Sequence, residues 1–302
     1  MPQLPHAAAR AIRRLIIIFN PAAGPRRTRG LWRVLDVLIA NGVRVELAET
    51  THRGHATELA REAARSGADL VVAAGGDGTI AEIANGLNGA AVRLGVIPLG
   101  TANVLAHELG LPLAPRAVAA ALAFGRTRPL LPGLASGDGA ARVFVQMLGV
   151  GFDAQVVHNV PLALKRALGR WAYVAQSARE LVRYPYRPVR LRLDGVDVAA
   201  ASAIVSKGRF YAGPYMLAPR AVPDAPGFEV ALFEWGGAGA AVLYGAALPL
   251  DRLHRAPGVR LVSCREVEFL DPLVPAQADG DPIGHTPLRI APAATPLRIV
   301  VG

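Results

Sequence analysis

The chain has 302 residues, 52% hydrophobic and 19% charged, which excludes the polar, highly charged profile of a disordered protein and suffices for one large or two ordinary domains. Its only cysteine, Cys264, excludes an intramolecular disulfide and argues against a cysteine zinc site. The net charge of +10 is carried almost wholly by arginine, Lys165 and Lys207 being the only lysines. That excess reads either as a compositional preference spread over the surface or as a patch for an anionic partner. Nucleic acid is disfavoured, because aromatics are only 6% and no helix-turn-helix or zinc-finger spacing is present.

From Leu15 to about Gly110, short apolar runs alternate with amphipathic stretches. LIIIF (15–19), VRVEL (43–47), LVVAA (70–74) and LGVIP (94–98) are predicted strands, while 30–40, 55–66 and 79–87 carry apolar residues at helical spacing. This alternation implies a parallel sheet with flanking helices, whose ligands bind beyond the carboxyl ends of the strands. A further helix over 116–124 closes the half, so residues 1–125 are expected to form an α/β domain. Beyond Arg126, short runs rich in Val, Leu, Phe and Ile recur between Gly, Pro and Asp clusters, predicting a β-rich, mostly antiparallel second domain over 126–302 with one helix near 162–182. The longest uncharged run, Trp235 to Leu250, falls short of the roughly 20 residues of a bilayer span and is expected to be a buried helix or strand pair. No export signal is visible before LIIIF, which fits a cytoplasmic protein.

Every predicted strand of the first half is followed by a loop of unusual composition, which argues for one shared site. The third loop, Gly75-Gly76-Asp77-Gly78-Thr79, combines glycines that let backbone N–H groups approach a phosphate with the start of a helix. An aspartate there repels phosphate unless it contacts Mg²⁺ or takes a proton from a hydroxyl, and both roles belong to phosphoryl transfer. The competing reading, an Asp-Gly hairpin, is disfavoured because TIAEIANGL looks helical. The first loop, Asn20 to Gly24 followed by Arg26 and Arg27, supplies a turn and guanidinium groups suited to phosphate. Thr50 and Thr51 ahead of Gly54-His55-Ala56, and Pro98 to Asn103, read by themselves as helix caps.

Together, NPAAG, TTHRGHA, GGDGT and PLGTAN, in this order and spacing, resemble the lipid-kinase catalytic family that includes diacylglycerol kinases, sphingosine kinases and bacterial soluble lipid kinases. The likeness continues through GVGFDAQVV (149–157), LKRALGRWAYV (164–174) and QADGDP (277–282). It implies that ATP and a lipid meet in the cleft between a nucleotide-binding α/β domain and the β-rich domain. Asn20, Pro21, Ala22, Ala23, Gly24, Thr50, Gly75, Gly76, Asp77, Gly78, Thr79, Ile80, Ala81, Thr101 and Asn103 would surround ATP, with Asp77 near the γ-phosphate or its Mg²⁺. Lys165 matches a family lysine ahead of Gly169 and Tyr173. Asp279-Gly280-Asp281 replaces the family's Asp-Gly-Glu and offers a carboxylate to take the lipid proton. The shorter side chain of Asp281 favours Asp279 as the direct base, with Asp281 acting through a water or orienting its neighbour, or itself the base if the backbone sits closer to the cleft. Ala225 stands where the family often has an aspartate helping to hold a structural magnesium, which leaves Asp224 as the neighbouring carboxylate.

The implied activity is ATP-dependent, Mg²⁺-requiring phosphorylation of a lipid hydroxyl, with diacylglycerol or a related lipid the leading substrate. The partner would be a membrane surface, met peripherally from the cytoplasm, where basic residues help. Two rivals stand beside it: an NAD kinase-like small-molecule kinase, and a non-catalytic lipid or nucleotide carrier that keeps the fold.

Overall fold

Side chains alternate across the first strand, and each side has its own helices. The computed structural model describes residues 14–21, 25–139, 141–161 and 170–302, with the side chains of 25–27 and 170–172 not included. The first half runs β1 (Leu15–Phe19), α1 (Pro25–Ala40), β2 (Val45–Glu49), α2 (His55–Arg65), β3 (Leu70–Gly75), α3 (Asp77–Leu87), β4 (Arg93–Pro98), α4 (Val104–Leu109) and α5 (Pro115–Phe124). Leu15, Ile17 and Phe19 join a core with Leu31 and Leu35 of α1 and Val118 and Leu122 of α5; Ile16 and Ile18 join another with Ala60 of α2 and Ile80 and Ile83 of α3. Burial on both faces explains why β1 and β3 are continuous apolar runs.

Strands β2, β1, β3 and β4 lie side by side, all parallel, as the α/β reading expects. The sheet does not end there. β20 (Leu297–Val301) pairs parallel with β4, and β5 (Arg126–Leu130) pairs antiparallel with β20. Both strands come from the far side of the expected boundary at 125/126. Leu130 and Ile299 are fully buried in the same core as Ile16, so the flank of β4 is covered by chain that the linear reading assigned to the second domain.

The second half is a sandwich of two six-stranded sheets with antiparallel pairing throughout. One sheet is ordered β10 (Val196–Ala200), β9 (Val189–Leu193), β16 (Val267–Phe269), β19 (Leu288–Pro292), β6 (Gly133–Ser136), β7 (Arg142–Phe144). The other is β15 (Val259–Cys264), β14 (Phe228–Phe233), β11 (Ser202–Ser206), β8 (Met147–Val150), β17 (Pro275–Ala278), β18 (Asp281–His285). Their inner faces share one core, in which Phe144, Leu191 and Ile290 meet Leu148, Val205 and Val230. A short ribbon, β12 (Phe210–Tyr211) with β13 (Tyr215–Met216), and helix α6 (Phe152–Asn159) complete this half with helix Arg170–Arg183, the described part of the helix expected near 162–182.

The run from Trp235 to Leu250 corrects an expectation. It contains helix Ala238–Ala247, and none of that helix's residues is buried. Alanine and glycine make the stretch apolar without giving it a stripe of large side chains; Tyr244 packs against Phe233, ring centres 5.1 Å apart, and Ala247 and Leu248 join the same cluster. Among the described residues no helix is long and apolar enough to cross a membrane.

Candidate active site

Four loops leave the carboxyl ends of β1 to β4, and backbone hydrogen bonds bring them together. Thr50 N–H donates to Phe19 O at 2.9 Å, Asn20 N–H to Ala74 O at 3.4 Å and Leu99 N–H to Gly75 O at 2.9 Å. The loops after β3 and β4 touch backbone to backbone: a Cβ on Gly100 would lie 2.6 Å from Gly76 Cα, and one on Gly76 would lie 3.2 Å from Gly100 Cα. Two glycines from separate motifs are therefore required by one close approach. Ala22, Ala23, Gly24, Lys165, Gly169 and the side chains of Arg26 and Arg27 lie outside the described residues.

Helix α3 begins at Asp77, which rejects the hairpin reading, and it organises both neighbouring loops. Asp77 Oδ1 accepts from Leu105 N–H at 3.4 Å, and the amides of Asn103 and Val104 also face its carboxylate. Burial pushes the Asp77 pKa up, while these amides oppose the shift. Asp77 thus caps α4, the role expected of Thr101 and Asn103 themselves. Asn103 adopts a left-handed φ of 45° and donates through Nδ2 to Gly100 O at 3.0 Å; Thr101 is exposed. Glu82, one turn further along α3, accepts from Gly54 N–H and Ala56 N–H at 3.0 and 3.1 Å. His55 stacks on His52 with ring centres 4.7 Å apart, and its Nδ1 accepts from Thr51 N–H at 3.1 Å, so its contacts are those of a helix start.

The sandwich contributes two carboxylates with different surroundings. Asp279, buried and at φ 50°, accepts from three successive backbone amides: Val145 at 2.7 Å, Gln146 at 2.9 Å and Met147 at 3.0 Å. Burial raises its pKa to about 6; the three amides pull it down, and the charge of Asp77 adds to the rise. Asp77 and Asp279 line one cavity of about 30 Å³ with Ile80, Leu105, Gln146 and Met147. Among the described residues the buried Gln146 amide has no hydrogen-bond partner on either side-chain atom. Asp281 instead meets Arg53 Nη2 at 2.9 Å and Arg142 Nη2 at 3.6 Å, and its Oδ2 would lie 3.9 Å from a Cβ on Gly78. Asp281 therefore reaches the glycine loop at Gly78. Side-chain length favoured Asp279, but the β17–β18 turn brings Asp281 within reach of Gly78, the arrangement under which Asp281 can itself serve as the base.

Chain reading missed Arg53, Arg142, Gln146 and Glu108, whose carboxylate binds Arg209 N–H at 2.6 Å and so ties α4 to the sandwich. Arg53 lies within the quoted TTHRGHA loop but carries no signal of its partner there, and Arg142, Gln146 and Glu108 lie outside the quoted motifs. Asp153, within the quoted GFDA stretch, is half-buried and accepts from the Tyr211 hydroxyl and from Gln277 Nε2; desolvation raises its pKa. The magnesium reading at Asp224 does not fit: Asp224 is exposed, the carbonyls of Ala225 and Gly227 bind Lys207 Nζ, and among the described residues no three His, Cys, Asp or Glu side chains meet.

The chain matches two family models. Residues 14–135 match the model of the diacylglycerol kinase catalytic domain, and residues 146–301 match that of the YegS C-terminal NAD kinase beta sandwich-like domain. A probable lipid kinase YegS-like of Pseudomonas putida is 31% identical over 93% of this chain and 90% of its own length. The diacylglycerol kinase of Bacillus subtilis is 36% identical, with the match spanning 61% of each chain. Two crystal structures of diacylglycerol kinase-like proteins from Bacillus anthracis str. Sterne share the fold. Their TM-scores are 0.76 and 0.68 at 20% and 19% identity, covering 98% and 96% of this chain and 99% and 97% of theirs.

Proposed function

Because this chain belongs to the lipid kinase family built from a diacylglycerol kinase catalytic domain and a YegS-type sandwich, we propose that it transfers the γ-phosphate of ATP to the hydroxyl of diacylglycerol or a related lipid. The observation that carries this reading is the approach of Asp281, from the sandwich, to Gly78 of the glycine loop. A phosphate cradle and a carboxylate base from opposite domains then face one another across the cleft. Asn20, Thr50 and Gly75 to Ala81 would hold ATP, the amides at the start of α3 facing its phosphates. Mg²⁺ would travel with the ATP phosphates, with Asp77 the protein carboxylate proposed to face it, in keeping with the few protein ligands such ions take. When bound, the ion neutralises charge on the transferring phosphoryl group.

Asp281 takes the proton of the lipid hydroxyl as its oxygen attacks. Arg53 and Arg142 pair with that carboxylate and hold it at the loop. Asp279 fixes the backbone of 145–147 and, with Asp77, the wall behind the site. A groove of about 310 Å³ lined by Arg142, Leu273, Ile283 and Leu288 opens beside the Arg142–Asp281 pair and is the proposed approach for the acceptor.

The lipid is met at a membrane surface, peripherally, with exposed Arg179, Arg183 and Arg187 supplying attraction. Incubation with labelled ATP and a total lipid extract tests the proposal. Label should move into a chloroform-soluble product with wild type and not with Asp281→Asn. Label appearing only on NAD would favour the small-molecule kinase reading, and no transfer at all would favour a carrier.

A further inference from the structure

Lys207, one of the two lysines of the chain, is fully buried just beyond β11. Its Nζ donates to Ala225 O at 2.6 Å and to Gly227 O at 3.0 Å, and lies 5.5 Å from the centre of the Phe228 ring. The 222–227 loop that it reaches is folded tightly on itself, with Ala225 N–H donating to Val222 O at 3.1 Å and Gly227 N–H to Ala225 O at 3.0 Å. Carbonyl oxygens converging in this way suit a cation, and an ammonium is a compact positive charge with three donors. Burial lowers the Lys207 pKa to about 8 while the Asp224 carboxylate works against the shift, so the group stays cationic at neutral pH. The family resemblance expects a structural magnesium at this loop. Ala225 supplies no carboxylate for one, and its carbonyl is already taken by Lys207.

We infer that Lys207 is a built-in cation: its ammonium gathers the carbonyls of Ala225 and Gly227 and orders the 222–227 loop without any metal ion. The order extends beyond the loop. Pro223 O accepts from Leu131 N–H at 2.9 Å, where the chain crosses from β5 into the sandwich. Lys207's own N–H donates to Gln146 O at 2.7 Å, and Gln146 N–H in turn donates to Asp279. The Lys207 ammonium thus orders the loop at the junction between the halves, while its main chain is bonded to the backbone behind the site. The inference is independent of which lipid is phosphorylated.

Thermal unfolding of the full chain without nucleotide tests it. The wild-type midpoint should be the same in EDTA and in excess Mg²⁺. Lys207→Met keeps the length of the stem but removes charge and donors; it should melt several degrees lower in both conditions. Lys207→Asn combined with Ala225→Asp empties the position and adds a carboxylate, and its midpoint should rise with Mg²⁺. A wild-type midpoint that falls on chelation overturns the inference, as does Lys207→Met melting with wild type or a folded double variant blind to Mg²⁺. Should Lys207→Met not fold, the wild-type comparison still decides.

Discussion

Asp281 and Arg53 meet at 2.9 Å, joining the turn between β17 and β18 to the loop after β2. One partner belongs to the sandwich and the other to the α/β half, so the pair bridges the cleft beside the glycine loop. Arg53 is largely exposed, and the pair contributes only about 0–1 kcal/mol to stability. Its value lies in where it holds a carboxylate.

Asp281→Asn should therefore lower turnover by about 10²- to 10⁴-fold, the usual range for a lost general base, with little change in melting temperature. Asp281→Glu should retain activity. Asp279→Asn should behave differently, since it weakens three buried amide contacts and destabilises the protein by about 1–3 kcal/mol. Steady-state kinetics alongside thermal melts of the three variants separate the roles; an active Asp281→Asn enzyme would remove Asp281 from the mechanism.

The glycine pair gives a second expectation. Gly76→Val places branched carbons against Gly100 Cα, so it should cost about 1–3 kcal/mol through overpacking and also weaken ATP binding. Calorimetry on the folded variant reads the second effect, and unchanged ATP affinity would mean that this loop does not hold the nucleotide.

Stability should vary with pH through Asp279. Its folded pKa of about 6 lies above the ordinary carboxylate value, so the folded state binds the extra proton. The stabilisation is fully present below about pH 4 and is lost as pH rises through about 6, on the order of 3 kcal/mol for a shift of this size. Denaturant melts of wild type and Asp279→Asn across this window should converge towards higher pH. A constant gap between them would show that Asp279 does not titrate there.

Membrane engagement should be electrostatic and reversible. Arg179, Arg183 and Arg187 are exposed beside a cluster in which the Phe152 ring lies 5.8 Å from Tyr184 and 5.5 Å from Tyr186. Each basic residue near an anionic surface contributes about 1 kcal/mol. Vesicle co-sedimentation should rise with anionic lipid content and fall with added salt, and replacing the three arginines by glutamine should reduce it. Binding indifferent to lipid charge and salt would argue against this contact.

Much of the α/β half was legible because its signals are local. LIIIF is β1 residue for residue, the helix starts lie within a few positions of their expected places, and the loops after the strands do converge. What stayed hidden depends on contacts between distant segments. Asp77 as the cap of α4, Asp279 as the anchor of 145–147 and Asp281 as the partner of Arg53 each need the three-dimensional turn of another segment. Lys207 shows no motif at all; only its carbonyl partners across the β11–β14 connection reveal what it does. The Ala- and Gly-rich run ending at Leu250 misled for a different reason, since hydropathy counts apolar residues without asking whether they are large enough to build a core face.

The position of β20 between β4 and β5 sets an order of assembly. As the chain emerges during synthesis, β1 to β4 can pair early, because their contacts are close in sequence, but the flank of β4 stays open until residues 297–301 have been made. The whole sandwich is synthesised in that interval. The first half thus waits, with an unpaired strand edge, for a strand that arrives last, a state in which an edge is prone to mispairing with another chain. Completion of the nucleotide half then coincides with docking of the sandwich, so the cleft becomes whole only once both halves have folded.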